Sequence, residues 1–148
     1  MLSQSRHNAR MLTLEKLFET QYFKGKGNTR EMKLFSFTDL KKISDISKFD
    51  ISFAKELFEN TIKYLPKIDK IIIKYAPDWP IESIPKTDLG ILRMAILEGF
   101  LQKLTPPKVV INESIELAKE FGNDQSRKFV SGVLGTIYEK YGKSNENK

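Results

Sequence analysis

Residues 107–141 read PKVVINESIELAKEFGNDQSRKFVSGVLGTIYEKY, and their apolar side chains recur at steps of three and four. This spacing predicts two amphipathic helices. The apolar positions are Ile111, Ile115 and Ala118, then Phe129, Val130, Val133, Leu134, Ile137 and Tyr141. Gly122 is typical of a residue that ends a helix, and Asn123, Asp124 or Ser126 is typical of one that starts the next. The segment therefore predicts a pair of helices joined by a short turn.

The first half of the chain carries the same helical spacing. The predicted elements are a helix over about 8–22, a basic loop over 24–36, a short helix over about 38–46 and a longer helix capped by Asp50. Pro66 either ends that longer helix or occupies the first turn of the next one. Helical spacing continues to Tyr75, and the segment 76–80 is a clear break.

The region between this break and Pro107 predicts one more helix. Thr87 and Asp88 are expected to cap it, and Thr105 with two prolines stops it. Residues 109–111 have strand propensity, but their helical period continues and no second strand is evident for pairing. The chain therefore reads as all-helical.

Composition excludes several classes of protein. The chain has 148 residues, no cysteine and one histidine, His7, so thiolate metal sites, disulfide scaffolds and paired-histidine zinc sites are excluded. The acidic stripe of Glu113, Glu116 and Glu120 is expected to be a solvated helix face rather than a metal site. No motif supports an enzyme. No run approaches the roughly 20 apolar residues of a membrane span, so we expect a cytoplasmic protein without cofactor or metal.

The excess of positive charge lies in the first half of the chain. Residues 1–74 contain 15 Lys and Arg against 9 Asp and Glu, whereas residues 75–148 contain 10 of each. Four of the cations cluster at Lys24, Lys26, Arg30 and Lys33. A basic half suggests a polyanionic partner, and solubility is an equally good explanation of the charge alone.

Two further patterns leave alternatives open. Gly132 and Gly135 fall inside one predicted helix, where each costs about 0.8–1.0 kcal/mol relative to alanine. Close helix packing is the favoured explanation, and close approach of a ligand is the alternative. Phe129 follows Arg127 and Lys128, a combination that could stack on and neutralise single-stranded nucleic acid. The pattern alone favours a core position for Phe129.

Three segments of the second half resemble the NusB transcription antitermination family. They are TDLGILRMAILE at 87–98, PKVVINESIELAKEFG at 107–122 and KFVSGVL at 128–134. Their order and spacing match the family over about residues 79–138, and the Ala9-Arg10 start with Phe18 is a weaker match.

The resemblance implies a single all-α domain, a compact bundle of about seven helices. The bundle is expected to comprise two three-helix-like subdomains, over about 1–76 and 80–142. It further implies a non-enzymatic bacterial factor that binds boxA-type single-stranded RNA. The expected partners are NusE, a ribosomal small-subunit protein, and the RNA polymerase antitermination complex of ribosomal RNA operons.

The resemblance also assigns roles to individual residues. The expected RNA-binding residues are Arg6, Arg10, Phe18, Gln125, Lys128 and Phe129. The expected partner-binding residues are Tyr22 and Asp88. His7 and Asn8 stand where the family often has arginine, which thins the N-terminal charge, whereas Gln125 stands where an acid can occur and removes a repulsion toward phosphate.

Two alternatives remain at this point. One is a protein-interaction module of the same fold with weak or lost RNA binding, motivated by the thin N-terminal charge. The other is a DNA-binding helical regulator, which lacks a convincing helix-turn-helix pattern.

Overall fold

A computed structural model describes residues 2–25 and 51–142, with side chains described at 5–19 and 51–141. Within these ranges the chain forms six α-helices and no strand, so the all-α prediction is confirmed. The predicted short helix at 38–46, the cap at Asp50 and most of the basic loop lie outside the described residues. The chain divides into two compact units, residues 1–59 and 60–148. The predicted subdomain boundary at 76–80 stays a prediction.

The first unit is built on α1 (Leu2–Gly25) and the start of α2 (Ile51–Lys63). Small side chains let the two backbones approach, because Ala9, Thr13 and Ala54 are all fully buried. The Thr13 hydroxyl donates to the carbonyl of Ala9 at 2.8 Å and to that of Ala54 at 3.3 Å. Thr13 thereby links the two helices through the backbone.

A single turn residue, Tyr64, separates α2 from α3 (Leu65–Tyr75). Pro66 lies in the first turn of α3. Pro66 therefore starts a helix, which resolves the open alternative. The predicted break at 76–80 follows, and then a short 3₁₀ turn at Ile81–Ser83.

The central helix of the second unit is α4 (Lys86–Ile96), continued by a π-helical turn at Leu97–Leu101. Every residue from Asp88 to Phe100 is buried, and α4 packs on α3, α5 and α6. The predicted cap by Thr87 and Asp88 is wrong. The helix begins earlier, at Lys86 after Pro85, and has no side-chain cap.

The last two helices are α5 (Pro107–Phe121) and α6 (Asp124–Ile137), which a π-helical turn extends over Tyr138–Gly142. The possible strand at 109–111 is the first turn of α5, where Pro107 needs no backbone hydrogen bond. The Asn123 side chain accepts a hydrogen bond from the Ser126 N–H at 2.9 Å and caps α6. No helix in the described part of the chain is long and apolar enough to cross a membrane.

Candidate nucleic-acid interface

Two arginines of α1 share one aromatic ring. The guanidinium carbons of Arg6 and Arg10 lie 4.7 and 5.3 Å from the centroid of Phe53 on α2. These are cation–π distances, and they orient both side chains. Arg10 is only 4% exposed, whereas Arg6 is partly exposed. Arg6 therefore offers more surface to a phosphate than Arg10 does.

Phe18 lies on the exposed face of α1, with 42% of its surface accessible. Glu15 lies three residues before Phe18 in the chain, and Glu19 directly follows it. Burial, and secondarily the charge of Glu19, raises the pKa of the Glu15 carboxyl above its ordinary range. Phe18 is thus an exposed ring with two glutamates nearby in the sequence, which suits stacking on a base better than a position beside a phosphate.

A second aromatic group lies in the second unit. The rings of Trp79 and Phe129 have centroids 5.3 Å apart and planes inclined at 69°. Trp79 is half exposed, and Phe129 is partly exposed instead of buried in the core. The core position favoured for Phe129 is therefore wrong, because the ring packs on a surface tryptophan.

The first turns of α6 present the remaining predicted RNA-binding residues. Gln125 and Lys128 are both exposed. The Arg127 Nε atom lies 3.9 Å from a carboxylate oxygen of Asp124 one turn earlier. Arg127 therefore forms a long ion pair within α6. Lys128, the next residue of the same helix, is exposed.

Asp88 is buried at the start of α4, with only 3% of its surface accessible. Burial raises the pKa of its carboxyl above the ordinary range, and a hydrogen bond with the Ser126 side chain opposes the shift. The Oδ1 atom has no hydrogen-bond partner. Asp88 is predicted to bind a partner. Because its side chain is buried, it could affect a partner only through the surface residues that it helps to position.

The turn before α6 leaves no room beside Ser126. A Cβ atom added at Gly122 would lie 2.6 Å from the Ser126 Oγ atom and 2.9 Å from the Ala118 carbonyl oxygen. Glycine is therefore required by close approach at this position. The turn, Ser126 and Asp88 form one packed group beneath the start of α6.

The two glycines within α6 have the opposite surroundings. A Cβ atom added at Gly132 or Gly135 would meet no atom of the described residues within 4 Å. Within the part of the chain that the structure describes, the favoured explanation, close helix packing, is therefore wrong for both. Gly132 is exposed one turn beyond Phe129, so it leaves the helix surface there without a side chain.

Each unit thus gathers part of the predicted RNA-binding set. Arg6 and Arg10 meet on Phe53 in the first unit, which also carries Phe18. Gln125, Lys128 and Phe129 share the first turns of α6 in the second. The side chain of Tyr22 and the cations from Lys26 to Lys33 lie outside the described residues.

Sequence reasoning missed Trp79, although a tryptophan between two prolines in a turn was a usable signal. Among the described residues no group of three His, Asp or Glu could hold a metal ion.

The fold and these clusters define an all-helical protein whose surface chemistry suits single-stranded nucleic acid. The NusB family model matches residues 7–139, and the chain belongs to this family.

Individual relatives agree with the family match. The transcription antitermination protein NusB of Chloroflexus aggregans is 37% identical over 143 residues, 95% of this chain and 91% of that protein. A crystal structure of antitermination factors NusB and NusE in complex with dsRNA contains a similar chain, with TM-score 0.75 and 26% identity over 93% of this chain and 98% of that one. NusB of T. maritima has TM-score 0.74 and 27% identity over 91% of each chain.

Proposed function

We propose that this chain is a transcription antitermination factor that binds boxA-type single-stranded RNA together with NusE. The pair joins the RNA polymerase antitermination complex on ribosomal RNA operons. The family match over residues 7–139 carries this proposal. The similarity to a NusB chain crystallised with NusE and RNA supports the same partners.

The described side chains suggest how RNA is held. Lys128 neutralises a phosphate, and Phe129 and Phe18 offer rings for bases. Stacking of one base on an aromatic side chain contributes roughly 1–3 kcal/mol. Arg6 adds a second cation, oriented by Phe53. Gln125 is neutral, so it does not add a negative charge at the start of α6 that would repel a phosphate.

NusE supplies additional RNA-binding surface, which this chain alone lacks. Arg10 is largely buried and Phe18 has acidic neighbours, so the chain alone should bind RNA modestly. A partner that adds surface beside the RNA raises the affinity. Tyr22 and Asp88 remain the residues assigned to the partner side, and Asp88 acts there through the helix start that it supports.

The proposed role is non-enzymatic and uses no cofactor. Such a factor works beside the transcribing polymerase, in the cytoplasm of a bacterial cell. The second candidate function is a protein-interaction module of the same fold with weak or lost RNA binding. The burial of Arg10 is the observation that favours it.

Fluorescence anisotropy separates the two functions. A labelled boxA-like RNA, its scrambled counterpart and a duplex of the same sequence are titrated with the chain, with and without NusE, at two salt concentrations. Preference for the boxA-like strand, strengthened by NusE, supports the antitermination factor. NusE binding without any RNA contribution supports the interaction module. Equal, salt-dependent binding of all RNAs that NusE leaves unchanged contradicts both.

A further inference from the structure

Trp79 is the one tryptophan of the chain, and half of its surface is exposed in the turn between α3 and the 3₁₀ turn. It is one of the exposed large apolar residues of the described chain, and it pairs with a second aromatic ring. The inclined contact with Phe129 joins residues fifty positions apart. The pair therefore forms a small aromatic surface built from two elements.

The backbone of the turn holds Trp79 in place. Pro77 and Pro80 frame it, and each fixes its own φ angle. The Trp79 N–H donates to the Ala76 carbonyl at 3.1 Å, and the Ser83 N–H donates to the Pro80 carbonyl at 2.9 Å. A preorganised ring loses little conformational entropy when a ligand covers it.

The inclination of the two rings leaves surface for a planar group. An edge-to-face pair covers one ring face and one ring edge, and the two rings keep a half-exposed and a partly exposed surface respectively. On α6, Gly132 carries no side chain one turn beyond Phe129, and a Cβ atom added there would meet no atom of the described residues within 4 Å. Among the described residues, a base can therefore approach the aromatic pair without a side chain at position 132 in its way.

Charge decides which planar group is the best occupant. The exposed Lys128 ammonium directly precedes Phe129, and the exposed Gln125 nearby is neutral. A ring for the base with a cation for the phosphate is the combination used to hold single strands. Asp78 beside Trp79 is exposed, and its charge disfavours passage of phosphates on that side.

We propose that Trp79 and Phe129 together form a base-stacking surface for single-stranded RNA, with Lys128 neutralising the adjacent phosphate. This inference rests on the proposed RNA-binding function and adds Trp79 to its site.

The single tryptophan gives a direct test in the unmodified chain. Its emission is followed while boxA-like RNA is added, in parallel with the anisotropy of the labelled RNA. A stacked base quenches the emission along the same binding curve as the anisotropy. This measurement needs no variant and so does not depend on how a substitution affects folding.

Three variants then measure the contribution. Trp79→Ala is expected to weaken RNA binding roughly tenfold, in line with the loss of one stacked base. Trp79→Phe keeps a ring and retains most of the affinity, and it also gives the emission background when NusE is present. Ile73→Ala is the matched control, because it removes another exposed apolar side chain, 56% accessible, on α3. It should bind RNA like the parent.

The outcomes separate this inference from the proposed function. RNA binding by anisotropy with unchanged tryptophan emission, and with Trp79→Ala binding like the parent, overturns the stacking role and leaves the RNA-binding function intact. Absence of RNA binding by the parent, with and without NusE, overturns both. Quenching by NusE alone, with Trp79→Ala losing NusE affinity only, overturns the RNA assignment in favour of a protein contact.

Discussion

The side chains of Asp88, in the first turn of α4, and Ser126, in the first turn of α6, interact, and this interaction opposes the rise that burial causes in the pKa of the Asp88 carboxyl. Both residues are buried. The same turn of α6 is capped by Asn123 and leads directly to Lys128 and Phe129. A buried carboxyl group thus packs beneath the segment assigned to RNA binding.

Asp88 gives the protein a pH dependence of known sign. Burial raises the pKa of its carboxyl, so the folded chain holds this proton more tightly than the unfolded chain. The resulting stability is complete below the unfolded value of about 4 and is lost as the pH rises through the higher folded value. At pH 7 the ion is therefore unfavourable, and Asp88→Asn should melt at a higher temperature than the parent.

Thermal melts between pH 4 and pH 7 check this. The difference between Asp88→Asn and the parent should grow as the pH rises. Asp78→Asn, in an exposed turn, is the matched control and should follow the parent. A variant that melts below the parent at pH 7 and above it at pH 4 would show that the charged carboxylate stabilises the fold, contrary to this account.

Arg93 and Asp69 form the strongest described ion pair. The Nε and one terminal nitrogen of Arg93 each donate to a different carboxylate oxygen of Asp69 at 2.9 Å. Arg93 is buried, and in Asp69→Asn the amide nitrogen cannot accept a hydrogen bond, so one bond is lost and the other loses its charged acceptor. The change should reduce the free energy of unfolding by about 1.5–3 kcal/mol. Urea unfolding measures it. Glu116→Gln, which breaks an exposed pair with Lys119, should cost less than about 1 kcal/mol. Equal small losses would contradict the role given to Arg93.

The start of α6 should control RNA affinity by charge. Lys128→Gln removes one phosphate contact, so it should weaken binding and reduce the slope of log affinity against log salt by about 0.7. Gln125→Asp adds a negative charge on the same turn and should also weaken binding. Anisotropy at several salt concentrations measures both. Lys70→Gln, which removes an exposed lysine of α3, is the control. A Lys70→Gln slope change equal to that of Lys128→Gln would show non-specific attraction only.

The same substitution at two glycines should have opposite effects. Gly132→Ala adds a Cβ atom that meets no atom of the described residues within 4 Å, so it should raise the free energy of unfolding by about 0.8–1 kcal/mol through helix propensity. Gly122→Ala forces a Cβ atom against Ser126 and the Ala118 carbonyl and should cost about 1–3 kcal/mol. Urea unfolding of both variants distinguishes them. Stabilisation at Gly122 would contradict the close packing described for that turn.

Local sequence patterns predicted the presence of the six helices in the described residues, but not every helix start and not the contacts between helices. The turn at Gly122 and Asn123 was readable because a helix end depends on a few neighbouring residues. The pairing of Arg93 with Asp69 spans 24 positions, and that of Trp79 with Phe129 spans fifty, so no local pattern predicts either. The prediction of Asp88 as a cap fails because an acidic residue is favourable anywhere near a helix start. The sequence pattern therefore does not distinguish a capping residue from a buried residue of the first turn.

RNA and NusE are expected to bind this chain cooperatively. The dissociation constant for NusE is measured with and without saturating boxA-like RNA, and that for RNA with and without saturating NusE. Thermodynamic linkage requires the two ratios to be equal. The account predicts that each ligand tightens the other by the same factor, well above one, and that scrambled RNA gives a smaller factor. A factor of one for boxA-like RNA would contradict it.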